Sequence, residues 1–516
     1  MSQSRTQRVL KNARISAGFY LLAIFLAFFS RKIFLECLGA DYVGLTGTLS
    51  NILGYLNLAE LGIGSALVFN LYKPVFDGDE GRIRSMVSFY GWFNRRIGLF
   101  IVGAGVLFSL FLPLMFGDAQ VSLPLVFFAF YVILGSSVLG YFVNYRQILL
   151  FADQRHYLVD SINQGVGIVK TLTQIYVTLK TGSYYAWIII EGVYGVVQCI
   201  VLNNRINRVY PWLRCSVRQG AADRHEYRSI MLTTRKVFVH KIKDFFLTQN
   251  DQFIVFIFLS LKMVAYYGNY VMIVTRLFGF ITHLFSGTEA GVGHLLAQNH
   301  KPRIIEVFWE LTAVRYFIAG VICFVLYHLM TPFITVWLGE EYVLANGVMI
   351  LLVVNLFIMI SRGTVDDFNS AYGNYGDTWA AWVELGLNVS VTLIGGYFWG
   401  LYGILLGKTA GLLTIIVFWK PYYLFSRGFG MAYNEYWRHA GRNLAAVILS
   451  WVVGGFVVGC IGIDPCESIG WWIVAAMVYT LLISVVLLGS ITLMCKGGNE
   501  LFHRFARFYR RMGAGE

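Results

Sequence analysis

Apolar residues run through this chain in stretches of about 20, the length a helix needs to cross a bilayer, and short polar turns separate them. Windows of that size predict fourteen spanning helices, at residues 14–36, 43–71, 97–116, 122–145, 157–179, 184–203, 238–261, 264–297, 312–337, 343–361, 378–398, 401–419, 443–463 and 470–494. The expected fold class is all-α, a polytopic membrane protein. The longest polar connector, Asn203 to Lys243, follows the sixth helix. It divides the chain into a first six-helix lobe (1–203), a basic linker (204–237), a second six-helix lobe (238–420) and two extra helices with a basic tail (421–516). Residues 82–96 mix Arg82, Arg84, Arg95 and Arg96 with Met86, Phe89, Trp92 and Phe93, and read as an interfacial stretch leading into helix three.

Loop charges test the count, because one helix too many or too few would reverse every later loop. With Arg5, Arg8, Lys11 and Arg14 inside, the alternate loops gather the other bases, among them Arg146, Arg155, Arg303, Arg362, Arg438 and Arg442. The opposite loops hold Lys180 and Lys262 beside Glu36, Asp41, Asp118, Glu340, Glu341, Asp464 and Glu467. That is the positive-inside pattern, and it places both termini in the cytoplasm.

Composition agrees: 57% of residues are apolar and 13% charged, against about 25% charged in soluble domains, and mean hydropathy is +0.63. The net charge of +13 does not signal nucleic acid, because the bases sit in short loops between spans. In the linker they could hold anionic lipid headgroups, at about 1 kcal/mol per base. The first apolar run ends in Ser30-Arg31-Lys32 without a small-residue cleavage site, so it reads as a helix and not a signal peptide. The seven cysteines lack metal spacing; Cys460 and Cys466 flank an outside turn and could pair. No nucleotide loop, zinc motif or nucleophile elbow occurs, and no outside loop is long enough for a catalytic domain. The expectation is a protein that is not an enzyme and uses no cofactor, only a proton or sodium gradient.

The informative residues are charges at membrane depth. At about 1.5 Å of rise per residue, Arg31 lies roughly 12 Å below the outer face, Asp251 about 15 Å into helix seven and Arg276 about 20 Å into helix eight. On the same scale Lys170 lies about 20 Å into helix five and Lys408 about 10 Å into helix twelve. Glu191 lies within helix six, Glu60 nearer the cytoplasmic side, and Asp160 and Glu384 occupy corresponding places in helices five and eleven, followed by Asn163 and Asn388. Each such charge costs about 2.5–3.5 kcal/mol on insertion scales, so it must be paired or solvated. Pairing would lock helices together, as Arg31 with Asp251. Solvation would create a hydrated cationic cavity for an anion, with Arg31, Lys170, Arg276 and Lys408 as substrate contacts and Glu60 and Asp251 as coupling or gating groups. His283 and Glu289 on helix eight could carry a proton.

Glu60 lies in an apolar, glycine-dotted stretch, Leu38 to Ala66, that returns faintly 221 residues later. Leu38, Val43, Gly47, Ile52, Leu56 and Ser65 recur at Leu259, Val264, Gly268, Ile273, Leu277 and Ser286, the spacing of a protein with two similar membrane lobes. Extended to Pro74, LGADYVGLTGTLSNILGYLNLAELGIGSALVFNLYKP resembles the amino-terminal signature of bacterial polysaccharide flippases, in the multidrug/oligosaccharidyl-lipid/polysaccharide exporter superfamily. YRQILLFADQRHYLVDSINQ (145–164) and DTWAAWVELGLNVSVTLIGGYFWGLYGILLGKTAG (377–411) resemble that family's fifth- and eleventh-helix regions.

The resemblance implies two six-helix lobes in a V around a central cavity, often with two added helices, working by alternating access. It implies an undecaprenyl-pyrophosphate-linked oligosaccharide as substrate, passed from the inner to the outer leaflet of the bacterial cell membrane for O-antigen, lipopolysaccharide or capsule synthesis. Basic cavity residues would meet the pyrophosphate, and a polysaccharide polymerase would be a natural partner. Lys408, in LLGKTAG, stands where relatives commonly have a small polar residue, which leaves open whether it serves the general mechanism or this protein's own glycan. Two other readings stay open. A multidrug or cation extruder of the same fold would favour an acidic, aromatic cavity. A membrane glycosyltransferase or polymerase has Glu36 and Asp41 in the first outside loop as its hint.

Overall fold

The computed structural model describes residues 5–57, 63–117, 119–222, 251–285, 288–298, 300–374 and 376–500. Among these the secondary structure is entirely helical. Seven helical stretches there are long and apolar enough to cross a membrane: Leu123–Ala152, Tyr184–Val209, Lys301–Trp337, Asn346–Ala371, Leu401–Phe429, Tyr433–Cys460 and Ile469–Met494. This is an all-α, multi-pass membrane protein. It divides into two compact units, Met1–Gly268 and Asn269–Glu516.

In the first unit, α1 (Arg5–Leu38) and α2 (Ala40–Leu56) are joined by Gly39 alone, at φ 97°, a conformation glycine adopts without steric cost. After α3 (Ile63–Asp77), the Asp79 carboxylate accepts from the Arg82 amide at 2.9 Å and caps α4 (Glu80–Ser109). Residues 82–96, the stretch expected to lead into helix three, are the first half of one continuous helix with it. Arg95 and Arg96 are exposed while Asn94 and Ile97 are buried, so the charges fall on the outer face and give the helix no reason to stop. The span expected over 43–71 is likewise carried by two helices, α2 and α3.

Three helices of 21 to 26 residues follow: α5 (Leu123–Val143), α6 (His156–Thr181) and α7 (Tyr184–Val209). α6 packs on α1 and α7, and α5 packs on α4 and α7. Phe34 of α1 meets Trp187 of α7 edge to face, with ring centroids 4.5 Å apart. Of the basic connector, residues 210–222 lie back on α4, where the Ser216 amide donates to Ser88 Oγ (3.1 Å) and Arg84 donates to the Trp212 carbonyl (3.2 Å). Residues 223–243 of the connector lie outside the described residues.

α8 (Asp251–Phe258) and the first turns of α9 (Leu261–Leu284) complete this unit. Here the two copies of the repeated stretch meet. A Cβ on Gly44 would overlap the Leu261 carbonyl, and one on Gly47 would stand 3.7 Å from Val264. Small residues let helices approach in lipid, where van der Waals contact replaces the hydrophobic drive.

The second unit holds the rest of α9, then α10 (Thr288–Ala297), α11 (Lys301–Trp337), α12 (Asn346–Ser361) and α13 (Gly363–Ala371). Residues 264–297, expected as one span, thus form two helices. The chain continues through α14 (Thr378–Trp399), α15 (Leu401–Gly411), α16 (Tyr433–Cys460) and α17 (Ile469–Met494). Phe324, Val447, Ile483 and Leu487 form a core between α11, α16 and α17. A second core is aromatic, built from Phe308, Trp309, Phe368, Phe425, Phe429 and Tyr436. α14 turns into α15 at Gly400 (φ 57°, ψ −131°), and the two helices touch backbone to backbone: a Cβ on Gly395 would stand 2.7 Å from the Gly403 Cα. α15 runs on into π-helical turns over Leu412–Trp419 and again over Leu424–Phe429, past the expected end at 419. Cys460 and Cys466, either side of the last turn, are both free and exposed, so the pairing open to them is not formed.

Candidate functional site

In the first unit, polar groups from α1, α2 and α8 gather on the opening turns of α9. The half-buried Arg31 donates from Nη2 to the Ala265 carbonyl (3.2 Å). Asp251 accepts from the Tyr267 hydroxyl (3.1 Å). Asn51 donates from Nδ2 to Gln252 Oε1 (3.0 Å) and to the Gly47 carbonyl (2.8 Å). A Cβ at position 268 would stand 3.2 Å from Arg31 Nη2, so glycine there leaves space for the guanidinium. Arg31 and Asp251, chosen from separate predicted helices, therefore address neighbouring residues of one helix. Asn51, Gln252 and Tyr267 escaped the sequence reading, which weighed charges and passed over neutral polar residues in apolar runs.

Lys170 is paired. Its Nζ lies 2.7 Å from Glu191 Oε1, and Gln174 donates to Glu191 Oε2 at 3.0 Å. This is the internal pairing that the sequence left as the alternative to substrate contact. The expected counterparts Asp160 and Glu384 differ: Asp160 is exposed, while Glu384 in the second unit is 1% exposed, beside Gly411. Asn163 accepts from Gln198 (2.8 Å), and Asn388 is buried. Glu60 lies outside the described residues, as does the side chain of Glu289; His283 is exposed at the end of α9.

In the second unit, Arg276 on α9 and Lys408 on α15 are half-buried, and among the described residues neither has a hydrogen bond or an ion pair. Other bases of this unit are engaged. Arg315, 6% exposed, donates to Asp367 Oδ2 (2.6 Å) and lies 4.1 Å from the centre of the Phe285 ring. Lys420 Nζ is 2.9 Å from Asp377 Oδ2, which also accepts from the Trp419 indole at 3.1 Å. Arg315 was legible as a base near the start of the apolar run at 312–337, but its carboxylate partner, 52 residues on, was not. Carboxylate oxygens of Glu306, Glu310 and Glu500 lie within 4.8 Å of one another. Arg303 pairs with Glu306, and Lys496 lies 3.8 Å from Glu500, so neighbouring bases already supply positive charge there.

No family model matches the sequence, and no curated protein does. Solved structures do match. One is described as lipid II flippase MurJ in an inward closed conformation; the likeness has a TM-score of 0.68 at 13% identity and covers 93% of this chain and 98% of that one. The chain shares its fold. A second match is an inward-facing multidrug resistance MATE family transporter of the MOP superfamily, at TM-score 0.53 and 14% identity, covering 78% of this chain and 93% of that one. At these identities the likeness is one of architecture, and the chemistry must be argued from this chain's own residues.

Proposed function

We propose that the protein is a flippase for an undecaprenyl-pyrophosphate-linked oligosaccharide, working by alternating access of two lobes in the bacterial inner membrane. The observation that carries this reading is the pair of half-buried cations, Arg276 on α9 and Lys408 on α15, which have no partner among the described residues. An unpaired base at depth costs about 2.5–3.5 kcal/mol on insertion scales, so its retention points to an anionic visitor. Arg31 would add a further headgroup contact; Asp251, with Glu60, would serve coupling to a proton or sodium gradient. Each sugar hydroxyl stripped of water without a partner costs about 2–7 kcal/mol, so a wet cationic path removes most of the barrier to the glycan while the polyprenyl tail stays in lipid. The inside-negative potential favours outward movement of an anion by about 2.3 kcal/mol per charge per 100 mV. The chemistry is transport with no bond made or broken, and the natural partners are membrane lipids and the polymerase that takes up the delivered repeat unit.

The test is leaflet-resolved labelling of lipid-linked glycan in cells lacking the gene and complemented with wild type, Arg276→Ala or Arg276→Lys. Inner-leaflet accumulation relieved by wild type and by Arg276→Lys, but not by Arg276→Ala at equal protein level, is the expected result. Glycan that reaches the outer leaflet without the protein, together with drug sensitivity relieved by it, would instead assign the fold to multidrug extrusion.

A further inference from the structure

In the second unit α12, the π-helical turns at Leu412–Trp419 and α16 do not close on one another. They bound a cavity of about 340 Å³ whose walls are apolar and aromatic. It opens on the molecular surface at Val354, Leu413, Leu444 and Ile448, all of them exposed. Leu413, Ile416 and Val417 of the π turns form one wall. Such turns are rare and recur at functional sites. On α16 the lining runs from Tyr436 to Trp451, about 22 Å at 1.5 Å per residue. Charge enters at Arg362, just past the end of α12. Its Nε lies 3.3 Å from Asp366 Oδ2, and its Nη1 and Nη2 amino groups make no hydrogen bond among the described residues.

We propose that this cavity holds one acyl chain of an anionic phospholipid, with the lipid phosphate on the free amino groups of Arg362. The shape and lining suit hydrocarbon and not sugar: the Ser361 hydroxyl already donates to the Ile358 carbonyl at 3.3 Å. At about 30 Å³ per water-sized group, the volume takes on the order of ten methylenes, a segment of one acyl chain and far less than an undecaprenyl tail. Basic pockets between membrane helices bind acidic headgroups, and the exposed Arg438 and Arg442 add positive charge on α16 beside the lining residues Trp437 and Ala440. The bound lipid would fill the gap between α12 and α16 and brace them. This site is independent of the transported substrate.

The purified full-length protein in detergent is titrated with dioleoyl phosphatidylglycerol or with phosphatidylcholine of the same chains, and retained lipid is read by native mass spectrometry. One phosphatidylglycerol should be retained in preference to phosphatidylcholine. That preference should fall about fivefold, the effect of one base, in Arg362→Gln and return in Arg362→Lys. Ile448→Trp, which fills the cavity from its open side, should release the lipid. Equal retention of the two lipids, an unchanged preference in Arg362→Gln, or retention by a folded Ile448→Trp overturns the proposal. Displacement of phosphatidylglycerol by equimolar undecaprenyl phosphate also overturns it, and assigns the cavity to a polyprenyl chain.

Discussion

Lys170 and Glu191 join α6 to α7 through a 2.7 Å ion pair, and removing either half leaves the other charge inside a membrane helix pair. The side chains are 28% and 33% exposed, and Glu191 keeps a second donor in Gln174. Breaking a fully buried pair costs about 3–5 kcal/mol, while an exposed pair is worth about 0–1 kcal/mol. Partial exposure sets Lys170→Met and Glu191→Gln between these limits, at about 1–2 kcal/mol each. In the double variant neither charge remains, so most of the loss should be recovered, with a coupling energy of about 2–3 kcal/mol. Unfolding of the four proteins in lipid nanodiscs measures the cycle, and the labelling assay above measures function. Additivity of the two single losses within about 0.3 kcal/mol would refute the pairing. A double variant that folds like wild type but does not transport would return Lys170 to the substrate path.

Gly403→Val should separate α14 from α15, since even a methyl there overlaps the Gly395 carbonyl; overpacking of this kind costs about 1–3 kcal/mol. Gly386→Val on the same α14 meets nothing within 4 Å and is the control, so equal losses of unfolding temperature in the two variants would defeat the argument. Asp367→Ala leaves the buried Arg315 without its 2.6 Å carboxylate and should destabilise by about 3–5 kcal/mol, more than Lys170→Met does; the reverse ranking would contradict the burial argument. Burial, and then the Asp464 carboxylate, push the Cys466 thiol up in the turn after α16, which lowers its thiolate fraction at a given pH. With the other exposed cysteines, Cys37 and Cys460, replaced, Asp464→Asn should speed maleimide labelling at mildly alkaline pH; unchanged or slower labelling would show that the carboxylate is not responsible.

The spans were legible because bilayer thickness sets the length of an apolar run. The expected helices at 122–145, 157–179, 378–398 and 470–494 are Leu123–Val143, His156–Thr181, Thr378–Trp399 and Ile469–Met494. Hydropathy averages over a window, so it did not reveal that residues 80–109 are one helix, or that the helix begun at Leu401 passes through π-helical turns. The sequence also supports an expected depth for each charge, through the fixed rise of a helix. Partners did not. Whether a base at a given depth meets a carboxylate depends on how its helix is turned and which helix packs beside it. Small-residue contacts such as Gly395 on Gly403 set that packing between segments whose apolar faces are otherwise alike. Tertiary structure alone therefore decided that Lys170 is bound to Glu191 while Arg276 and Lys408 have no partner among the described residues.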